Sequence, residues 1–219
     1  QFLIGTQGRW VDYNSAHIHV KNIGYFSSVI IGDYQANFGQ GLTFGSGLSA
    51  RKSAYVLNVN RYYQNIRPYR SVNEFEFMRG AAIDYKYKSW QFVSFISYKN
   101  INTNYQNADT NNINSFDGFT GFNFTGFNRT ANEILDKDNV KQSILGVHVQ
   151  KDFNFLQIGF TGIKTNYNLP FLPGNQLYQL YNFSGNQLMN AGLDYKLSLG
   201  NAFFSGEFSK SENGGFATT

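Results

Sequence analysis

The stretch NAGLDYKLSL, residues 190–199, alternates strictly between apolar and polar side chains. Its apolar set is Ala191, Leu193, Tyr195, Leu197 and Leu199, and its polar set is Asn190, Gly192, Asp194, Lys196 and Ser198. Successive side chains of a β-strand point to opposite faces of a sheet, so this pattern predicts a strand with one apolar face. The alternation recurs at residues 74–88 and 16–22. The apolar positions there are Phe75, Phe77, Ala81, Ile83, Tyr85 and Tyr87, and Ala16, Ile18 and Val20.

Weaker alternation predicts further strands along the rest of the chain, for a total of about eight to ten. These stretches are Tyr25–Phe38, Trp90–Lys99, Ser143–Lys151, Phe155–Thr165 and Ala202–Lys210. Short turns, such as Lys88-Ser89 and Gly200-Asn201, alternate with long polar connections at Asn100–Asn139 and Asn168–Gln187. Outer-membrane barrels have this asymmetry, with short periplasmic turns and long extracellular loops. None of the three prolines, Pro68, Pro170 and Pro173, lies inside a predicted strand.

The composition also favours a membrane β-barrel over a soluble β-sandwich. Charged residues make up only 15% of the chain and aromatic residues 18%, whereas a soluble surface normally carries more Lys and Glu. Few charges and many rings suit a sheet with one face in lipid and the other in water. The absence of cysteine excludes disulfides, thiolate nucleophiles and cysteine-bound metals. We therefore expect an all-β, antiparallel transmembrane β-barrel with long extracellular loops, located in the bacterial outer membrane.

The two ends of the sequence bear on how much of a barrel it contains. The chain begins with Gln1, and it stops at Thr219 without a terminal aromatic strand. Lipid tolerates no open sheet edge, because each unpaired backbone group in hydrocarbon costs several kcal/mol. We expect residues 1–219 to form one barrel segment that is incomplete at one or both ends and belongs to a larger barrel.

A basic segment with interleaved tyrosines, Ser49–Val72, is the main candidate for ligand contacts. The candidate contact residues are Arg51, Lys52, Arg61, Arg67 and Arg70, followed by Glu74, Glu76 and Arg79. Basic and aromatic residues together can bind single-stranded nucleic acid through phosphate contacts and stacking. They can equally form a loop that folds into the lumen and pairs with Glu74 and Glu76. The second interpretation is the one we favour.

Three other features have a functional and a structural interpretation. His17 and His19 have a spacing that could contribute to a metal site, but lumen-facing polar residues explain them better. The glycine-rich stretch from Phe38 to Gly47 is too irregular for a phosphate loop, and in a barrel it would allow tight curvature or close backbone approach. The phenylalanine-rich run Asn114–Asn128 either binds a partner or the lipid interface, or packs over the barrel mouth.

Three ordered groups of residues resemble a known family. They are Gly32-Asp33-Tyr34-Gln35 with Phe38-Gly39-Gln40-Gly41-Leu42; Arg67-Pro68-Tyr69 with Ser71, Glu74, Phe77 and Arg79-Gly80-Ala81-Ala82; and Asn128-Arg129-Thr130 with Glu133-Ile134 and Lys137. Together, across roughly Gly32 to Tyr167, they resemble the β-barrel region of large outer-membrane proteins from Bacteroidota. In that family a helix-hairpin-helix region, of the kind found in competence DNA-binding proteins, precedes the barrel. The resemblance implies an outer-membrane barrel that is part of a longer chain.

The expected function is that of a structural or scaffold barrel in a larger outer-membrane assembly. The alternative is a channel or transporter for DNA or another polymer or solute. An outer-membrane enzyme is the third class, but no nucleophile elbow, phosphate loop or dinucleotide motif occurs, so we expect neither catalysis nor a cofactor. The expected partners are lipid or lipopolysaccharide and other outer-membrane or periplasmic proteins, with nucleic acid as a further partner under the second hypothesis.

Overall fold

The computed structural model describes residues 2–3, 13–46, 64–71, 73, 75–107, 116–124, 134, 136–174, 176–179 and 182–219. Strands account for 69% of these residues, and the principal sheet is antiparallel. The prediction of an all-β, antiparallel protein is therefore confirmed. No helix in the described ranges is long and apolar enough to cross a membrane.

Fourteen strands are present in the described part of the chain. They are β1 (Phe2–Leu3), β2 (Tyr13–Asn14), β3 (His17–Ile23), β4 (Phe26–Ala36), β5 (Ile66–Pro68), β6 (Met78–Tyr87), β7 (Trp90–Ile101), β8 (Thr103–Asn107), β9 (Phe116–Phe122), β10 (Val140–Asp152), β11 (Leu156–Phe171), β12 (Gly185–Leu199), β13 (Ala202–Ser211) and β14 (Phe216–Thr218). Strands β1 and β2 pair with each other, and the other twelve form one sheet.

The large sheet follows the chain closely, in the order β14-β13-β12-β11-β10-β7-β6-β4-β3. Strand β5 pairs with β4, β8 pairs with β9, and β9 also meets β11. Tight turns join β3 to β4, β6 to β7, β10 to β11 and β12 to β13 at one end of the sheet, which we call the turn end. The longer connections, from β4 to β6, β7 to β10 and β11 to β12, lie at the opposite end, the long-loop end. The predicted asymmetry between the two ends is confirmed.

The sheet is open among the described residues. Its edge strands, β3 and β14, pair there only with β4 and β13. The sheet is nevertheless strongly curved, because residues just after β4 form hydrogen bonds with β13, six strands away. Six strand spacings in a flat sheet would separate these elements by about 29 Å. One face is therefore concave, and it carries the buried core, including Ile30, Phe95 and Ile144.

The apolar face predicted for residues 74–88 is wrong at its N-terminal end. Strand β6 begins only at Met78, and Phe77 is buried at 7% exposure with its ring 5.1 Å from that of Tyr69. The Phe77 amide donates to the Phe75 carbonyl, which makes a tight turn before the strand. A turn has no period of two, so the alternation of Phe75 and Phe77 there does not continue the face that begins at Ala81.

The predicted polar loop from Asn100 to Asn139 is wrong in part, because it contains the paired strands β8 and β9. Phe119 in β9 is fully buried and packs on Phe171 at 5.2 Å between ring centroids. This favours packing over the sheet end for the phenylalanine-rich run, although Phe124 remains exposed. Pro68 and Pro170 also lie in strands, against the prediction. Pro170 falls where the β11–β12 register shifts, a place where no ladder donor is needed.

Candidate functional site: an inner loop on the concave face

Residues 37–46, which follow β4, form a loop that closes on itself, and we call it the inner loop. Asn37 and Gly45 form an isolated antiparallel bridge. The Phe38 amide donates to the Phe44 carbonyl at 3.2 Å, and the Ser46 amide donates to the Ala36 carbonyl at 3.0 Å. The loop is thus a compact hairpin that leaves β4 and returns to its last residue.

The aromatic residues of the inner loop join the core of the concave face. Phe38 is 1% exposed and stacks on the His148 ring from β10, with centroids 4.6 Å apart and planes at 15°. It also stacks on Phe95 of β7 at 5.7 Å, and Phe44 lies 5.3 Å from the same ring. His148 is itself held by a 2.9 Å hydrogen bond between Nδ1 and Thr161 Oγ1. The loop is therefore packed against the middle of the sheet.

Glu207 of β13 holds the far side of the inner loop through three backbone amides. Its Oε2 accepts from the amides of Gln40 at 2.7 Å and Leu42 at 3.0 Å, and its Oε1 accepts from the amide of Thr43 at 2.7 Å. Glu207 is only 3% exposed. Hydrogen bonds to an ionised group contribute about 1.5–3 kcal/mol each, so this buried carboxylate is a strong anchor for the loop.

Small residues allow the inner loop to approach the sheet this closely. Gly39 has φ +54°, and a Cβ there would lie 2.8 Å from Cβ of Asp194 and from Oε2 of Glu207. A Cβ on Gly192 of β12 would overlap Oγ1 of Thr43. The expectation of close backbone approach in this glycine-rich stretch is confirmed.

A polar cavity of about 420 Å³ lies on the same concave face. Its lining comes from strands β3 to β12 and includes Lys21, Lys86, Lys196, Asp84, Gln150 and Gln157. Asp84 accepts hydrogen bonds at 2.8 Å on both carboxylate oxygens from Nε2 of Gln91. His19 also lines the cavity, with Nε2 2.8 Å from the Ser28 hydroxyl. This inward position agrees with the interpretation of His19 as a polar lining residue.

The residues predicted as ligand contacts divide into two groups. Arg51, Lys52, Arg61 and Glu74 lie outside the described residues. Arg67, Arg70, Glu76 and Arg79 are described, and the side chains of Arg70 and Glu76 are exposed at the long-loop end. The predicted pairing with Glu74 therefore lies outside the described residues.

Arg79 and Arg67 both contact side chains of β4. Arg79 binds Asp33 with two hydrogen bonds, from Nε to Oδ1 at 2.7 Å and from Nη2 to Oδ2 at 3.1 Å. Arg67 donates from Nε to Oε1 of Gln35 at 2.8 Å, and Gln35 in turn donates to the Glu76 carbonyl at 2.9 Å. These contacts join β4, β5 and β6, so both arginines hold strands together.

Two important residues gave no signal in the sequence. Lys99 donates from Nζ to the carbonyls of Phe75 at 2.8 Å and Phe77 at 2.7 Å, which fixes the turn before β6. Glu207 occupies an ordinary polar position of an alternating strand. Its partners in the inner loop are 164 to 167 residues away in the chain, and only the curvature of the sheet brings them together.

The convex face of the sheet is apolar along continuous cross-strand rows. One row runs Ile18, Ile31, Ala81, Ile96 and Leu145. Another runs Tyr85, Phe92, Val149, Phe160, Leu193 and Phe208. Most of these side chains are substantially exposed, with Ile18 at 68% and Ile96 at 54%. An exposed apolar surface of this breadth is unusual for a soluble monomer.

Exposed aromatic residues cluster at the turn end of the sheet. The exposed rings there are Tyr25, Phe26, Tyr87, Trp90, Phe92, Phe153, Phe155, Phe203 and Phe204. Neighbouring hairpins share ring contacts, such as Tyr25 with Tyr87 at 5.5 Å. Lys151 Nζ lies 4.4 Å from the centroid of the Trp90 ring. The rings therefore form a band that follows the ends of several strands.

Comparison of the chain with protein-family models, with curated proteins and with solved structures gives no match. The class that the structure defines is an all-β protein with one large, curved antiparallel sheet and an internal loop anchored to its concave face.

Proposed function

We propose that this chain is part of an outer-membrane β-barrel that serves as a structural anchor in a larger outer-membrane assembly. The observation that carries the proposal is the convex face, where exposed apolar rows cover the sheet from β3 to β13. Such a face needs lipid or protein to cover it, and the concave face, with its packed inner loop and its polar cavity, suits a plugged interior. The aromatic band at the turn end corresponds to the rings that barrels place at the membrane–water interface.

The length of the apolar face supports the same assignment. On β12 the apolar positions extend from Met189 to Leu199, ten residue steps along the strand. At about 3.4 Å per residue and a tilt of about 35–45°, this length covers about 24–28 Å of membrane thickness. The outward apolar band of outer-membrane barrels is about 25 Å tall.

The inner loop favours a scaffold over an open channel. It crosses the concave face from β4 to β13, and its aromatic residues and amides are held by His148 and Glu207. A loop with these anchors would obstruct the interior of a barrel built from this sheet. In this proposal the short turns face the periplasm and the long loops face the outside of the cell.

Single-cysteine variants of β12 test the membrane assignment. The chain has no native cysteine, so each variant carries one unique thiol. In vesicles that contain the full chain, we expect thiols at Ala191, Leu193 and Leu197 to react with a lipid-soluble maleimide. We expect thiols at Asn190 and Ser198 to react much less, because these positions face inward. Alternating labelling supports the proposal. Equal reaction of all five thiols with a water-soluble maleimide would contradict it.

A second candidate function is a channel for an anionic polymer or solute. The observation that favours it is the cavity of about 420 Å³, which has three lysines, Lys21, Lys86 and Lys196, in its lining. If the cavity lies on a conduction path, single-stranded DNA should block the conductance of the full chain in planar bilayers. The block should weaken steeply as salt rises, because phosphate binding releases counterions. Conductance that DNA leaves unchanged at low salt would remove this candidate.

A further inference from the structure

We propose that the convex face carries a binding site for one phosphorylated glycolipid of the lipid A type, between β10 and β13 near the long-loop end. The inference rests on the proposed membrane location. It adds a specific ligand, a position and the residues that bind it.

The site is a depression of about 630 Å³ on an otherwise bulky apolar face. It follows one cross-strand row, in which Val147 is followed by Gly162 and Ala191. A Cβ on Gly162 would find no atom nearer than 3.6 Å, so a side chain would fit there without a clash, and glycine leaves that space unfilled. The neighbouring row toward the turn end carries Phe160, whose ring forms one wall of the depression. Because this row contains glycine and alanine in place of larger side chains, it forms an apolar hollow suited to an acyl chain.

Two lysines border the hollow, one at the β13 end of its row and one in the next row toward the long-loop end. Lys210 is the cross-strand partner of Ala191, and Lys164 is the partner of Met189 in the next row. Both lysines line the depression, and so does Glu212, whose carboxylate is the one acidic group in the lining. The hollow therefore has an apolar wall toward the turn end, and the two lysines and one glutamate give its β13 and long-loop borders a net positive charge.

This distribution of charged and apolar residues indicates the class of ligand. In the proposed orientation the long-loop end lies at the outer leaflet, where the headgroup of a lipid would be level with the lysines. Lysine binds phosphate as a point charge, and the hollow accepts hydrocarbon below it. A partner protein would need to match both the charge and the apolar hollow, and the hollow lies at the depth of the acyl chains. A lipid with headgroup phosphates matches both features without any rearrangement.

Native mass spectrometry of the full chain, titrated with purified lipid A in detergent, tests the site. We expect one retained lipid A, and at least tenfold weaker retention in the double variant Lys164→Gln/Lys210→Gln. Ala191→Phe should weaken retention similarly, because the ring fills the hollow and leaves both charges in place. The matched control is Lys151→Gln, which removes a lysine near Trp90 at the turn end and should leave retention unchanged.

Dephosphorylated lipid A should bind the unaltered chain as weakly as lipid A binds the double variant. Equal retention of lipid A by all the variants would overturn the site, as would equal retention of the dephosphorylated lipid. Competition by inorganic phosphate alone at millimolar concentration would also overturn it, because the apolar hollow would then contribute nothing. The cysteine labelling distinguishes failure of the proposed membrane location from failure of this lipid site. A chain that shows lipid-facing thiols on β12 but no lysine-dependent retention keeps its membrane assignment and loses only this site.

Discussion

Replacement of Glu207 by alanine is expected to release the inner loop and to turn a poorly conducting protein into a conducting one. The change removes the acceptor of three backbone amides, those of Gln40, Leu42 and Thr43. Loss of three charge-assisted hydrogen bonds costs at least about 3 kcal/mol, even if their contributions are not additive. This cost shifts the equilibrium between the anchored and the released inner loop by about a hundredfold. Single-channel recordings of the full chain in planar bilayers should show long openings in the variant and rare openings in the unaltered protein.

A second variant tests the effect of displacing the inner loop while the carboxylate of Glu207 is kept. Gly192→Val places a side chain where Oγ1 of Thr43 now lies, so it should displace the loop and leave Glu207 intact. It should raise the open probability in the same direction as Glu207→Ala. The control is Asp138→Asn, which neutralises an exposed carboxylate at the long-loop end and should leave the recordings unchanged. If both loop variants conduct like the unaltered chain, the inner loop does not obstruct the interior.

Substitution of Gly32 by alanine is expected to detach the edge strand β3 and to cause a large loss of stability. Gly32 has φ +108°, and a Cβ there would overlap the Ala16 carbonyl oxygen and lie 2.8 Å from His17 Cα. The close atoms belong to the backbone of the neighbouring strand, so no side chain can move aside. We expect a loss of about 3 kcal/mol or more, from strain of about 1–3 kcal/mol together with disrupted pairing. Urea unfolding of the full chain in detergent measures the loss.

Gly24→Ala provides a matched control. Gly24 also has positive φ, +58°, but a Cβ there would have no atom within 4 Å. Its cost should therefore be the conformational penalty alone, about 1 kcal/mol. Amide hydrogen exchange should show faster exchange in β3 for Gly32→Ala only. Equal losses for the two variants would mean that the close approach of β3 to Gly32 contributes little.

The contacts of Asp33 and Gln35 connect two groups of residues that lie far apart in the sequence, the first beginning at Gly32 and the second at Arg67. Asp33 pairs with Arg79, and Gln35 pairs with Arg67. In addition, the Tyr69 amide donates to the Asp33 carbonyl at 3.0 Å. The first group therefore contacts the second group in space. Residues that are 32 to 46 positions apart in the chain are needed together to hold β4, β5 and β6 in register.

The sequence by itself determined the long strands of the large sheet and, within them, the face that most residues occupy. In β12 most of the predicted apolar set is exposed, and the predicted polar set includes the buried Asp194. When the two faces of a strand have different environments, the character of its side chains must alternate with a period of two residues. The positions of the tight turns were also predictable. The same reasoning failed where the backbone leaves the strand, as at Phe77, since a turn imposes no such period.

Only the tertiary structure decided what lies inside the sheet. The inner loop was visible as a glycine-rich stretch, but its partner Glu207 lies 164 or more residues further along and looks like any polar strand residue. The composition of the basic segment indicated ligand contacts, yet Arg67 in that segment binds Gln35 of β4. Local alternation depends on neighbouring residues alone, whereas these contacts depend on the curvature of a sheet that brings distant strands together.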